Sequence, residues 1–316
     1  MKIIFIGTSS FGIPVLKKLL LLNEQIITVI SQPDRPSGRG KIIQATPVKE
    51  IAIANGLKIL QPENINDERI IQTIKELKPD LMILIAFGQI LNKNILDIPT
   101  LGCINVHPSL LPKYRGPAPI QWAIIRGEKE TGISILFLNE KIDSGDIILQ
   151  KKVNIFPEEN FQELHQRLSL ESAEMIEMVL EKIKTGNYQK IIQSQEDQFY
   201  ARKLTKIDCR VQWEKSSVDI YNLIRGLSPN PGAYTEFRER TIKIIKASLN
   251  KENVTDYSPR DGKPGSLVHA SKDGLYALSG DYHQVIIQRL VVSGSKEMDA
   301  SQFINGYRIK KGDFFN

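Results

Sequence analysis

Short apolar runs alternate with amphipathic helical patterns through the first half of the chain, and this alternation limits the possible folds more than any other feature. The runs predict strands, and the segments between them predict helices. A repeated strand–helix–strand order implies an α/β fold with a mostly parallel, Rossmann-like sheet and helices on both faces. The predicted strands are 2–7, 26–31, 57–60, 81–86, 102–107 and 133–138, and the predicted helices are 14–22, 47–54, 68–77, 118–126 and 161–185.

The pattern changes in the last third of the chain. A polar run at 193–198 predicts a linker, and short strand-like segments dominate from about residue 207. We therefore predict an α/β domain at 1–189, a linker at 190–206 and a smaller β-barrel domain at 207–316. The predicted strands of the barrel are 211–213, 233–237, 241–247, 265–269, 274–277 and 284–292, with one clear helix at 217–225.

Bulk properties exclude several classes of protein. The 316 residues are enough for two hydrophobic cores, and 41% hydrophobic with 25% charged residues is typical of globular proteins. No apolar run approaches the ~20 residues of a membrane helix. Two distant cysteines predict a reducing, cytoplasmic location, and four scattered histidines predict no metal site. A net charge of +6 fits a polyanionic partner, but a lysine-rich proteome explains it equally well.

Three residues form a candidate catalytic set: Asn105, His107 and Asp143. Asn105 and His107 lie two apart at the end of a predicted strand, so both side chains point the same way. Amide, imidazole and carboxylate are the groups needed to carry an acyl group between two amines. We expect the next strand, 133–138, to bring Asp143 to the same sheet edge. Each residue alone also fits a structural role, as a cap, a packed turn residue or a turn former.

The segment 32–49 is rich in glycine, proline and basic residues. Its cations Arg35, Arg39, Lys41 and Lys49 face one acid, Asp34, and its composition predicts no regular structure. Such a run is usually a solvated connector, but its length exceeds that of ordinary connections and favours a functional loop. The turn 7–12 after the first strand is neither GxGxxG nor a P-loop, so a tight turn that begins a helix is the better interpretation.

The run 105–119, which reads Asn-Val-His-Pro-Ser-Leu-Leu-Pro-Lys-Tyr-Arg-Gly-Pro-Ala-Pro, resembles the signature of folate-dependent formyltransferases. The blocks 31–41, 46–49 and 224–234 resemble the members of that family that act on initiator methionyl-tRNA. Two departures stand out: Ser9-Ser10, where many members carry Pro followed by an acid, and Asn230, where many carry tryptophan. Neither departure removes a candidate catalytic group.

The resemblance implies that 10-formyltetrahydrofolate, a co-substrate, donates its formyl group to the α-amino group of initiator methionyl-tRNA. Asn105 and a protonated His107 would donate to the carbonyl oxygen, and Asp143 would orient His107 and move a proton. The second domain would be an OB-like barrel, and the protein a cytoplasmic monomer without a metal. Implied folate contacts are Phe87, Gly88, Ile90, Ser109, Leu110, Leu111 and Pro112, and implied tRNA contacts are Arg35, Arg39, Lys41 and Lys206.

Three alternatives stay open at this point. A related formyltransferase that acts on an amino sugar nucleotide or another small amine would share the three catalytic candidates without needing the basic loop. A 10-formyltetrahydrofolate hydrolase would use water in place of the amine. A non-catalytic RNA-binding protein could retain the same fold, although an intact catalytic set argues against it.

Overall fold

The computed structural model describes residues 1–37, 42–194, 199–250, 258, 260–271 and 273–316. The chain divides into two compact units that are discontinuous in sequence. The first comprises Met1–Pro119, Thr131–Asn154 and His165–Arg202, and the second comprises Ile120–Glu130, Ile155–Leu164 and Lys203–Asn316. In the described part of the chain, no helix has the length and apolarity needed to span a bilayer.

The strands and helices follow the predicted alternation through residue 185. The strands are β1 Lys2–Gly7, β2 Gln25–Ile30, β3 Arg35–Ser37, β4 Ile42–Gln44, β5 Ile59–Leu60, β6 Leu81–Ile85, β7 Cys103–His107, β8 Glu130–Phe137 and β9 Ile147–Asn154. The helices are α1 Ile13–Leu21, α2 Pro47–Ala54, α3 Glu68–Leu77, α4 Lys93–Leu96, α5 Pro119–Ile125 and α6 Phe161–Thr185, and a 3₁₀ turn spans Ser10–Gly12.

Seven strands form one sheet in the order β5-β2-β1-β6-β7-β8-β9. In this order, each strand from β5 through β7 pairs with its neighbour in the parallel direction. The next pair, β7 with β8, is antiparallel. The predicted mostly parallel sheet is therefore confirmed. The chain moves from β1 outward to β2 and β5, then crosses back to β6 on the other side of β1. Ligands of open α/β sheets bind at the carboxyl end of the strands beside such a reversal.

Close packing explains the glycine that ends β1. A Cβ atom at Gly7 would lie 2.9 Å from the Phe5 ring and 3.0 Å from the Ile85 carbonyl oxygen. The next turn is capped by the Ser9 hydroxyl, which accepts a hydrogen bond from the Phe11 amide at 3.3 Å. These contacts support the sequence-based interpretation of this segment as a tight turn that begins a helix.

The strands β3, β4 and β9 and the helix α4 were not predicted from the sequence. The basic segment 32–49 contains the antiparallel hairpin β3–β4, although it was predicted to lack regular structure. The strand β9 was missed because its burial does not alternate, with three exposed residues in succession. The helix α4 has four residues, which is too short to show a helical period.

The last third of the chain is β-rich, as predicted. It contains β10 Ala233–Phe237, β11 Arg240–Leu249, β12 Leu267–Ser271, β13 Gly274–Leu278, β14 Gln284–Val292 and β15 Glu297–Asp299, with α7 Ser217–Leu227, α8 Ala300–Tyr307 and a 3₁₀ turn at Ile207–Cys209. The strands form a six-stranded sheet in the order β10-β11-β14-β13-β12, and β15 pairs with β14.

A cluster of aromatic side chains lies in the core of this second unit. Phe237 contacts Phe303 and Phe315 with ring centroids 5.6 and 5.8 Å apart, and Trp213 stacks on Phe315 at 5.5 Å. The helix α8, which supplies Phe303, was missed by the sequence analysis. The predicted strand at 211–213 is wrong. The preceding residue Arg210 forms an isolated bridge with Tyr234, and the Val211 amide donates to the Tyr234 carbonyl oxygen at 2.8 Å, but no strand forms there.

Candidate active site

The side chains of Asn105 and His107 meet the carboxylate of Asp143. Asn105 Nδ2 donates to Asp143 Oδ1 at 3.0 Å, and His107 Nδ1 lies 3.5 Å from Asp143 Oδ2. Asn105 and His107 share one face of β7, as their spacing predicted. All three residues are buried, with 6%, 4% and 9% of their surface exposed. The structure thus brings the three candidate residues together in one enclosed cluster.

Asp143 reaches this cluster by a different route from the one expected. Because β8 runs antiparallel to β7, it ends beside Ile104 and not beside His107, so the expected delivery by the strand end is wrong. Instead, the connection from β8 to β9 folds back towards β7 and places Asp143 beside Asn105 and His107. Asp143 adopts a left-handed backbone conformation with φ 48°, and its Oδ2 accepts a hydrogen bond from the Gly116 amide at 2.9 Å.

Both ring nitrogens of His107 face acceptors. Nε2 lies 2.9 Å from the Tyr114 carbonyl oxygen, and Nδ1 faces the Asp143 carboxylate. A carbonyl oxygen can only accept, so Nε2 carries a hydrogen in this contact. A neutral ring with hydrogen on Nε2 would point a lone pair at the carboxylate. Only a ring with hydrogen on both nitrogens could donate to both acceptors.

The segment Tyr114–Gly116 supplies two of the contacts around His107 and Asp143, and its backbone is unusual. Tyr114 has φ 62° and Gly116 has φ 110°, both in the left-handed region. The Tyr114 amide donates to the Phe199 carbonyl oxygen at 2.8 Å, and the Ala201 amide donates to Arg115 O at 2.7 Å. A Cβ atom at Gly116 would lie 2.9 Å from the Ala201 carbonyl oxygen, so glycine allows this close approach.

Two further side chains join this network, and sequence reasoning missed both. Arg115 Nε and Nη2 donate to Gln193 Oε1 at 2.9 and 2.6 Å. Gln193 Nε2 in turn donates to the backbone oxygens of Asp143 and Gly145 at 2.9 and 2.8 Å. Burial lowers the pKa of Arg115 from its usual value, while the nearby Asp143 charge acts in the opposite direction. Arg115 lies in the run 105–119, but no pattern there assigns it a partner, and Gln193 belongs to an ordinary polar segment.

The residues expected to contact folate divide into a buried and an exposed group. Phe87, Ser109 and Leu111 are buried at 2%, 0% and 4% exposure, so mainly their backbone groups remain for a ligand. Gly88 and Ile90 are exposed. The peptide bond between Leu111 and Pro112 is cis, and Leu110 is half-buried.

A hydrogen-bond network shapes the turn that follows His107. Ser134 Oγ donates to the Ser109 carbonyl oxygen at 2.7 Å and accepts from the Leu111 amide at 3.2 Å. Gln150 Nε2 donates to Ser134 Oγ at 2.7 Å and to the Leu111 carbonyl oxygen at 3.0 Å. These bonds hold the turn in one conformation from β8 and β9.

Polar groups also gather where β1 and β6 end, at the reversal of strand order. Thr8 Oγ1 and Gln32 Nε2 both donate to the Phe87 carbonyl oxygen at 3.2 Å, and the Gln32 amide donates to Thr8 Oγ1 at 3.3 Å. This corner borders the exposed Gly88, which was expected to contact folate. It is the edge at which open α/β sheets hold their ligands.

The residues expected to contact tRNA are only partly described. Arg35, on the β3–β4 hairpin, forms an ion pair with Glu63, and the hairpin's Ile42 and Ile43 are 68% and 69% exposed. Arg39 and Lys41 lie outside the described residues. Lys206 Nζ lies 5.8 Å from the centroid of the Tyr234 ring in the second unit. Among the described residues, no group of three or more His, Cys, Asp or Glu could hold a metal ion.

Comparison with known families identifies two matches. The family model described as Formyl transferase matches residues 1–180, and the one described as Formyl transferase, C-terminal domain, matches residues 203–308. Residues 181–202, which include Gln193, fall between the two matches.

Similar proteins align along nearly the whole chain. A protein from Geobacter metallireducens named methionyl-tRNA formyltransferase is 40% identical over 99% of this chain and 97% of its own length. One of the same name from Clostridioides difficile is 39% identical over 99% of each chain. A solved methionyl-tRNA formyltransferase from Clostridium thermocellum superposes with a TM-score of 0.56 over 80% of this chain and 95% of that chain, at 19% identity.

Another solved structure, HypX from Aquifex aeolicus in complex with tetrahydrofolic acid, has a TM-score of 0.68 at 16% identity. The superposition covers all of this chain and 50% of the HypX chain. At such low sequence identity, the structural matches show a common fold.

The two cysteines are predicted to be unreactive in the folded protein. Burial raises the pKa of the Cys103 thiol to about 12 and also raises that of Cys209, which disfavours the nucleophilic thiolate. We expect a chromogenic disulfide reagent to label neither thiol within minutes under native conditions, and both after denaturation. Rapid labelling of Cys103 in an otherwise folded protein would contradict this burial.

Proposed function

The chain belongs to the formyl transferase family, and we propose that it transfers the formyl group of 10-formyltetrahydrofolate to the α-amino group of initiator methionyl-tRNA in translation initiation. The proposal is supported by sequence identities of 40% and 39% to methionyl-tRNA formyltransferases over nearly the full length, together with both family matches. The folate co-substrate follows from the family, and a solved neighbour was crystallised with tetrahydrofolic acid.

This proposal depends mainly on one observation: the Asp143 carboxylate contacts both Asn105 and His107, at 3.0 and 3.5 Å, in a buried cluster. When an amine attacks a formyl carbon, negative charge develops on the formyl oxygen. Fixed hydrogen-bond donors stabilise that charge, and loss of one typically costs about 10²–10³ in rate. Asn105 uses one amide hydrogen on Asp143 and has a second for the formyl oxygen.

Direct donation from His107 requires a change of partner. Both of its nitrogens already face protein acceptors, Tyr114 O and the Asp143 carboxylate. A bond to a neutral carbonyl is weaker than one to a carboxylate, so the contact with Tyr114 is the one we expect to yield. The formyl oxygen would then replace the Tyr114 carbonyl as the acceptor of the Nε2 hydrogen, while Asp143 keeps the ring oriented.

Asp143 transfers the proton that the reaction moves from the amine to the folate. The attacking nitrogen must lose one proton as its bond to the formyl carbon forms, and N10 of the folate must gain one as its bond to that carbon breaks. Asp143, directly or through a water molecule, accepts the proton from the amine, and it returns a proton towards N10 by way of His107. The products are the formylated amine and tetrahydrofolate, with no covalent enzyme intermediate.

Substrate binding is assigned to surfaces around this cluster. Backbone groups of 87–90 and of 109–112 would contact the folate, which suits a rigid turn flanked by apolar side chains. The basic segment 32–49, with Arg35, Arg39 and Lys41, would contact the acceptor end of the tRNA, and Lys206 would contact it from the second unit. We further propose that the protein acts as a cytoplasmic monomer.

The decisive experiment offers the purified protein 10-formyltetrahydrofolate with one acceptor at a time: initiator methionyl-tRNA, free methionine or an amino sugar nucleotide. We expect formylation of the charged tRNA, with one tetrahydrofolate released per formyl group transferred. Formylation of the amino sugar alone would favour the small-amine alternative, and folate release without an acceptor would favour a hydrolase. Absence of all turnover would favour a non-catalytic RNA-binding protein.

Removal of a catalytic side chain should stop chemistry without preventing tRNA binding. We expect Asn105→Ala, His107→Ala and Asp143→Ala each to lower the single-turnover rate by at least about 10²-fold, because each removes a donor or the proton carrier. The tRNA dissociation constant, measured by fluorescence anisotropy, should change less than about threefold. His283→Ala, at an exposed histidine of the second unit, is the control. A parallel loss of tRNA affinity would indicate a structural role.

The basic segment 32–49 should act through the charge of the tRNA backbone. We expect Arg39→Ala to lower kcat/KM for methionyl-tRNA about tenfold and to reduce its dependence on salt by about one phosphate contact. Arg69→Ala, which removes an exposed cation from α3, is the matched control and should leave both unchanged. Unaltered kinetics of Arg39→Ala across a range of salt concentrations would refute the assignment of this segment to tRNA binding.

A further inference from the structure

The residues that follow α6 approach the catalytic cluster at several points. The Tyr114 amide bonds to Phe199, Arg115 and Tyr200 form an isolated parallel bridge, and Gln193 bonds to the connection that carries Asp143. We call residues 191–194 and 199–202 the docked linker. These contacts were not expected of a polar linker, which would normally be solvated.

Gln193 makes the most specialised of these contacts. It is 7% exposed, and its amide group uses its full hydrogen-bonding capacity. Its two N–H hydrogens bind the backbone oxygens of Asp143 and Gly145, and its oxygen accepts two bonds from Arg115. A buried amide with four satisfied bonds has one permitted orientation and holds its partners in place.

The connection around Asp143 needs such support. Asp143 has a left-handed backbone and lies between Lys141 and Ile142, which are exposed, and the half-buried Ser144. The connection between β8 and β9 offers no regular structure to fix its carboxylate. Without the Gln193 amide, two buried backbone oxygens would lose their donor, which is costly enough to favour a rearrangement of the connection.

We propose that Gln193 is a positioning residue for formyl transfer: by binding both Asp143 O and Arg115, it holds the Asp143 carboxylate against His107. This inference rests on the proposed function. The same amide ties the Asp143 connection to the segment Tyr114–Gly116, so it links the two protein acceptors of His107. It also engages the Arg115 guanidinium, which would otherwise compete with His107 for the nearby carboxylate.

Gln193→Met tests this role, since methionine keeps the length of the side chain and removes its polar atoms. We expect kcat to fall about 10- to 100-fold, because a small displacement of a catalytic group suffices for such a loss. The KM values for folate and methionyl-tRNA should stay within about threefold, since Gln193 is buried and its polar atoms already bond to the protein. Gln189→Met makes the same change at an exposed position of the same chain segment and should leave kcat unchanged.

Gln193→Glu separates positioning of Asp143 from simple anchoring of Arg115. Glutamate keeps an acceptor for Arg115 but cannot donate to the two backbone oxygens. We expect its kcat to be no higher than that of Gln193→Met, with a lowered melting temperature but a protein that is still folded at the assay temperature. Wild-type kcat in either folded variant, or a raised KM with unchanged kcat, would overturn the proposal. Failure of both variants to fold, while Gln189→Met folds, would also overturn it in favour of a purely structural role.

The unchanged protein is assayed beside the variants with the same methionyl-tRNA and formyl donor. If it does not formylate the tRNA, the proposed function fails, whatever the variants do. If it does, and the Gln193 variants keep its kcat, the positioning role alone fails.

Discussion

The carboxylate of Asp143 is the point on which the rest of the site depends. Its two oxygens contact Asn105 and His107 from β7 and the Gly116 amide from the following turn, so one group joins three parts of the first unit. A buried carboxylate is stable only when such donors surround it. The same contacts orient the amide and the imidazole towards one reaction centre.

Support for this carboxylate comes from a part of the chain that looks like a connector. The docked linker holds the Asp143 connection through Gln193 and holds Tyr114, whose carbonyl oxygen faces the other side of His107. It lies between the segments matched by the two family models. In this view, the catalytic geometry is completed by residues outside the recognised signature, a common arrangement in sites whose reacting groups need exact orientation.

Much of the fold was predictable because hydrophobic periodicity is a local property. The bounds of β1, α2, α3 and α6 agree with the predicted segments to the residue. Short elements such as α4 and the β3–β4 hairpin were missed because they contain less than one clear period. The domain boundaries predicted at 189 and 207 stay predictions, and the two structural units are discontinuous in sequence.

By itself, the sequence determined the order of strands and helices, the shared face of Asn105 and His107 and the resemblance to folate-dependent formyltransferases, since each depends on residues close together in the chain. Tertiary structure alone decided how Asp143 reaches His107, because β8 runs antiparallel and its connection must fold back. It also decided that Gln193, 50 residues beyond Asp143, binds that connection. Contacts over such separations follow from packing, which no local pattern encodes.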